Sequence, residues 1–232
     1  MKCMVLTILN VMLLWGVCSA GEKLDLSDAK VRVSYSVGYQ MGGDFKRQGV
    51  DINPELVLKG IQDALAGNEP LMTMEEMRTS LVDLQKTVTA AQKKKKEEEA
   101  ARNLAEGRRF LVENGKKEGV VTLASGLQYK VIEEGFGRTP GARDKVTVHY
   151  RGKLIDGSEF DSSYSRNKPA IFQTDQVIAG WKEALLLMKE GAKWLIFVPP
   201  GLAYGEQGAG SKIGPNSTLI FEVSLISAMP AE

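Results

Sequence analysis

From Thr73 to Glu106 the chain meets neither proline nor glycine, and this run does most to limit what the protein can fold into. Thr73-Met74-Glu75-Glu76 reads as a capping box, with the threonine hydroxyl and the glutamate carboxylate each accepting the other residue's backbone N–H. It opens a helix with no breaker before Gly107. Residues 93–99 read KKKKEEE. Lys93, Lys94 and Lys95 stand four residues ahead of Glu97, Glu98 and Glu99, so the charges meet on a helix surface. The order is the less favourable one, worth a few tenths of a kcal/mol per pair at most. The run predicts a stalk with water on most sides. It is no nucleic-acid patch, because the acids cancel the lysines at once. With a net charge of +1 for the whole chain, no global attraction to nucleic acid or an anionic membrane is expected.

Two shorter helices precede the stalk. Ser27 is a suitable N-cap for a helix to about Gln48 with Gly49 as its stop. Val31, Tyr35, Gly38, Met41, Gly42 and Phe45 recur along it at helical spacing. Gly38 and Gly42 each cost about 1 kcal/mol relative to alanine, which close approach by another helix would repay. Asn53 followed by Pro54 marks the second start, and Gly67 its end. Two such helices bury little surface alone. Met41, Met72, Met74 and Met77 are adaptable interface material. Residues 21–71 therefore read as a homodimerisation arm and 72–118 as a connecting helix, the alternative being helices that fold back on their own chain.

The first twenty residues stand apart. Lys2 supplies a positive start, Met4–Val17 is almost wholly apolar, and Cys18-Ser19-Ala20 offers small residues for cleavage. This reads as a secretory signal peptide; the apolar run is short for a membrane span. A membrane anchor and a lipid-modified Cys18 are the alternatives. Cleavage after Ala20 would remove both cysteines, Cys3 and Cys18, leaving an exported chain with no disulfide, thiol nucleophile or thiolate metal site.

Composition changes near Gly115–Gly119, where β-branched residues, glycines and prolines take over. Leu127–Glu133, Lys145–Ile155, Lys193–Val198 and Ser217–Ser227 read as strands, and Asp156-Gly157 as a hairpin turn. Alternation groups Val146, Val148 and Tyr150 on one face and turns His149, the only histidine, to the other. A lone histidine without cysteines is no metal site. The glycine-rich segment Gly205–Gly214 lacks the Lys-Ser/Thr ending of a phosphate loop and reads as a surface loop. Gly180, before Trp181, supplies backbone freedom at a turn, and Trp181, Ala184, Leu185 and Met188 share one face of a short helix. Tyr150, Phe160, Phe172, Val177, Ile178, Trp181, Tyr204, Ile213 and Phe221 are the candidate lining of an apolar cup, with Asp161 as its one carboxylate.

Together these segments resemble a family. Val148-His149-Tyr150-Arg151-Gly152, Asp156-Gly157-Ser158-Glu159-Phe160-Asp161-Ser162-Ser163, Val177-Ile178-Ala179-Gly180-Trp181, Leu202-Ala203-Tyr204-Gly205 and Pro215-Asn216-Ser217-Thr218-Leu219-Ile220-Phe221 are similar to the successive signatures of FKBP-type peptidyl-prolyl isomerases. The arm and stalk resemble the exported bacterial subgroup typified by macrophage infectivity potentiator. The resemblance implies an α+β fold: an antiparallel half-barrel sheet wrapped around the Trp181 helix, in an isomerase domain over residues 119–232. It implies a proline pocket with Trp181 as floor and Tyr150, Phe160, Phe172, Val177, Ile178, Ile213 and Phe221 as walls. Asp161 and Tyr204 form the polar pair at its rim, and the Ile178 N–H holds a ligand carbonyl. No cofactor or metal is implied. The implied partners are unfolded or partly folded proteins with X–Pro bonds, and macrolide inhibitors of the rapamycin type. Ala170, after Pro169, replaces an aromatic common in eukaryotic members and opens that wall. The implied location is the periplasm, or the outer membrane and cell surface. A proline-segment-binding chaperone without turnover and a surface virulence factor using the fold as scaffold are the competing readings.

Overall fold

A computed structural model describes residues 25–231, so the leader assigned to residues 1–20 lies outside them. The chain divides into two compact units, one ending at Ser80 and the other beginning at Leu81.

In the first unit, helix α1 spans Ala29–Gln48 and α2 spans Pro54–Ala66. The cap of α1 is Asp28 rather than Ser27. The Asp28 carboxylate accepts from the N–H groups of Lys30 (2.6 Å) and Val31 (3.2 Å), while the Ser27 N–H is taken by Asp25 at 2.9 Å. Gly49 and Gly67 end the two helices at φ 69° and 71°, a left-handed conformation that glycine adopts without penalty. Asn53 caps α2, with Pro54 at its first position. Neither helix has a buried residue, and nothing lies within 4 Å of where a Cβ would sit on Gly38 or Gly42. Helix α3 runs over Met74–Asn114 and opens on the expected capping box, with Thr73 N–H to Glu76 at 2.8 Å and Glu76 N–H to Thr73 Oγ1 at 3.2 Å. Lys93–Glu97 and Lys94–Glu98 approach to 3.9 Å in solvent.

The second unit carries strands β1 (Val120–Thr122), β2 (Gln128–Glu133), β3 (Lys145–Leu154), β4 (Glu159–Ser162), β5 (Ala170–Gln173), β6 (Lys193–Val198) and β7 (Leu219–Met229). Helix α4, Ala179–Leu185, lies between β5 and β6. All pairings are antiparallel, in the order β1-β2-β6-β7-β3-β4. Strand β5 shares the outer edge of β3 with β4, pairing along Lys145–Val148 while β4 takes Arg151–Lys153. Alternation holds in β3, where Val146, Val148 and Tyr150 are buried, and in β7, where Leu219, Phe221, Val223 and Leu225 are. These residues close over Trp181, Ala184, Leu185 and Met188, each buried valine, leucine, phenylalanine or methionine side chain contributing roughly 1.5–3 kcal/mol.

Gly180 has a different job from the one expected. Its φ is not positive, and it lies within α4. A Cβ there would fall 2.5 Å from Val198 Cγ1, so glycine is required because the helix rests directly on β6.

Candidate active site

The chain before α4 and the concave face of the sheet enclose a hollow of about 290 Å3. Trp181, 4% exposed, forms its floor. Three rings meet the indole edge-on: Tyr150 from β3 at 5.3 Å, Phe172 from β5 at 5.7 Å and Phe221 from β7 at 5.3 Å. Such pairs contribute about 0.5–1.5 kcal/mol each beyond their buried area. Phe160 from β4 stands edge-on to Phe221 at 5.5 Å. Gly152 lets these two rings close in, because a Cβ there would come within 2.6 Å of Phe160 and 2.9 Å of Phe221. Gln176, Val177 and Ile178 complete the wall beside α4, and Tyr204 bounds the opening.

Eight of the nine apolar and aromatic residues named from the sequence thus surround one hollow, together with Asp161. Ile213 does not join them. It is 9% exposed, packs into the core cluster and exchanges backbone hydrogen bonds with Ala209 across a narrow loop (2.9 and 3.2 Å). Asp161 and Tyr204 both border the hollow, with no hydrogen bond between them. Asp161 accepts from the Tyr150 hydroxyl at 2.5 Å, from Arg166 Nη1 at 2.6 Å and from the Ser162 N–H at 2.8 Å, and Arg166 Nη2 donates to the Tyr150 hydroxyl at 2.8 Å. Tyr204, 41% exposed, stands apart from this network. Burial pushes the Asp161 carboxyl up, but the Tyr150 and Arg166 hydrogen bonds and the Arg166 charge outweigh it and hold the group below the usual carboxylate range. Burial first, and then the hydrogen bond to Asp161, push the Tyr150 phenol above its ordinary value. Arg166 is therefore a site residue that the sequence reading missed, and so is Gln176. Arg166 lies in a single 3-10 turn, Tyr164–Arg166, which no periodic pattern marks.

The Ile178 N–H, at the start of α4, meets no acceptor among the described residues. His149 faces away from the hollow, stacked on Tyr164 at 4.7 Å with Nδ1 2.9 Å from Ser163 Oγ.

Fold and site define a half-barrel sheet closed over an apolar binding pocket: an aromatic cup with one hydrogen-bonded acid and no serine, cysteine or lysine in its lining. More particularly, the chain belongs to the FKBP-type peptidyl-prolyl cis-trans isomerases. The family model of that description matches residues 137–226, and the model of the domain amino-terminal to FKBP-type peptidyl-prolyl isomerase matches residues 30–131. The chain is 48% identical to the peptidyl-prolyl cis-trans isomerase Mip of Coxiella burnetii over 98% of both chains. It is 47% identical to the outer membrane protein MIP of Legionella longbeachae over 92% of this chain and 91% of that one. Among solved structures, that of FkpA from Escherichia coli matches with a TM-score of 0.71 at 35% identity, covering 90% of this chain and all of the other. Among the described residues no helix is long and apolar enough to cross a membrane.

Proposed function

We propose that the hollow over Trp181 takes the proline ring of an X–Pro segment and lowers the barrier to rotation about the preceding amide. The observation that carries this reading is the aromatic cup on Trp181 with the unengaged Ile178 N–H at its edge. Resonance sets the uncatalysed barrier at about 18–20 kcal/mol. A planar amide is more dipolar than a twisted one, so a site that strips water from it penalises the ground state more than the transition state. The Trp181 floor and the Tyr150, Phe160, Phe172 and Phe221 walls supply that dry surface. The Ile178 N–H takes a substrate carbonyl. Asp161, held by Tyr150 and Arg166, sets the polar edge, and Tyr204 bounds the opening. A millionfold acceleration asks for roughly 8 kcal/mol, which water exclusion, clamping of the ring and orientation of the amide share. No covalent intermediate or cofactor enters this account. Macrolides of the rapamycin type would compete for the same hollow. The test is exchange or protease-coupled isomerisation of a short X–Pro peptide, with wild type beside Trp181→Ala and Asp161→Ala. Loss of turnover in both folded variants is expected. Wild-type turnover in both would overturn the assignment of the site.

The organisation we propose is an exported chain with its leader cleaved after Ala20, a dimer arm at 21–71, a connecting helix at 72–118 and an isomerase domain at 119–232. Its location is the periplasm or the outer-membrane face. The arm favours a second copy as partner. Tyr35 and Tyr39 lie stacked and exposed on α1, and a groove of about 630 Å3 is walled by apolar residues that include Leu56, Ala64, Leu71, Met72 and Met77. Joining two sites raises the local concentration of prolyl segments and suits a folding factor for exported proteins. Deletion of residues 21–71 should give a monomer by light scattering. It should slow catalysed refolding of a protein far more than isomerisation of a short peptide. Equal loss on both, or none on the protein, would count against the arm's role.

A further inference from the structure

We propose that the C-terminal half of α3 is a positioning element of the active site, holding the loop from which Tyr204 borders the hollow. The inference rests on the hollow over Trp181 being the substrate site.

Glu99, Asn103 and Gly107 lie four residues apart and so share one face of the helix. They meet three neighbouring positions of the chain ahead of β7. A Cβ on Gly214 would fall 2.3 Å from Glu99 Oε1. Asn103 Nδ2 donates to the Pro215 carbonyl at 2.8 Å. A Cβ on Gly107 would lie 2.3 Å from Thr218 Oγ1 and 3.2 Å from Thr218 Cβ, so the helix backbone itself rests on the threonine. Glycine inside a helix costs about 1 kcal/mol relative to alanine, and here close approach requires it. The contact is steric, since Thr218 Oγ1 is buried without a hydrogen-bond partner.

The segment held in this way is the neck of a closed loop. The Asn216 N–H donates to the Gly205 carbonyl at 2.8 Å, and Asn216 adopts φ 53° to make the turn. Tyr204 immediately precedes that junction, and Phe221 follows Thr218 by three residues. Two walls of the hollow therefore branch from the few residues that α3 grips. Farther along, Asn114 and Gln128 (3.0 Å) and Gln128 Nε2 with the Leu111 carbonyl (2.8 Å) tie the end of the helix to β2, so the stripe has a rigid seat.

The test uses the full chain. Gly107→Ala should displace the neck and loosen the grip on substrate, raising KM for a short X–Pro peptide about 3- to 10-fold while kcat stays within about twofold, the signature of lost uniform binding. Thr218→Ala removes the clashing oxygen, leaving a Cβ–Cβ approach that small shifts absorb, so Gly107→Ala/Thr218→Ala should restore KM. Asn103→Ala, which adds no bulk, should raise KM in the same direction and carries the test if Gly107→Ala does not fold. Backbone amide resonances of Tyr204 and Gly205 should move in Gly107→Ala and return in the double variant. Wild-type KM in folded Gly107→Ala and Asn103→Ala, or a raised KM that the double variant does not restore, would overturn the proposal. The amide shifts do not depend on turnover. An inactive wild type would refute the substrate site, whereas unmoved resonances would refute the positioning role.

Discussion

Trp181 and Leu185 lie one turn apart on α4, 4% and 1% exposed, but only Trp181 lines the hollow. That pair separates the proposed floor of the site from ordinary core. Trp181→Leu keeps an apolar side chain and removes three edge-on ring contacts at 5.3, 5.7 and 5.3 Å. At about 0.5–1.5 kcal/mol each, and less than additive, the loss is on the order of 2–4 kcal/mol. A domain with about 5–15 kcal/mol of stability survives that. If the indole also supplies the surface on which the proline ring turns, kcat/KM should fall at least about tenfold, or roughly 1.4 kcal/mol of transition-state stabilisation. Leu185→Ala empties a core site that faces no substrate. It should cost about 2–5 kcal/mol of stability and leave kcat/KM per folded molecule unchanged. The assay is isomerisation of a short X–Pro peptide at a temperature where circular dichroism shows both variants folded. A Trp181→Leu protein within twofold of wild type, or a Leu185→Ala protein that loses activity while folded, would refute the floor.

Three further outcomes follow from the same geometry. Because Asp161 is held below the usual carboxylate range, turnover of an uncharged peptide should be flat from about pH 5 to 9. The stability Asp161 contributes is present above its unfolded pKa of about 3.9 and is lost as pH falls through its lower folded value. Tyr150→Phe removes one donor and should move the acid limb up towards the ordinary carboxylate value; an acid limb that the substitution leaves in place would refute the role given to that bond. Gly180→Ala should lower stability by about 1–3 kcal/mol in denaturant titrations, with partial recovery on adding Val198→Ala, because the new methyl group meets Val198. Asp28→Ala should destabilise α1 by about 1 kcal/mol and Ser27→Ala hardly at all, read from helix content on heating.

What could be read in the sequence was local. Gly49, Asn53-Pro54 and the Thr73–Glu76 box are stop and start signals that act within one turn, and each falls where expected. The miss at Ser27 is of the same kind. Two capping residues stand side by side, and the Asp28 carboxylate is the one that accepts the free N–H groups of Lys30 and Val31. Strands β3 and β7 are ten and eleven residues long, enough for alternation to show. Strands β1, β4 and β5 have three or four residues each, too few to display a period, and exist because longer neighbours pair with them.

The site depends on contacts that no short window contains. Motif resemblance named its aromatic walls, but the polar edge follows from register. Asp161 lies opposite Gly152 in the β3–β4 pairing, so no side chain on β3 intervenes, and the carboxylate reaches diagonally to the Tyr150 hydroxyl rather than to Tyr204. The 3-10 turn after β4 then brings Arg166 back onto the other carboxylate oxygen, Oδ1, and onto the Tyr150 hydroxyl. Glycine roles follow the same logic. Gly180 and Gly107 read as a loose turn and as a break in a helix pattern, yet each is required by a partner far along the chain, Val198 in one case and Thr218 in the other. A small residue that appears locally as flexibility can be the place where two rigid elements touch: Gly180 does so where α4 meets β6, and Gly107 where α3 meets the chain leading into β7.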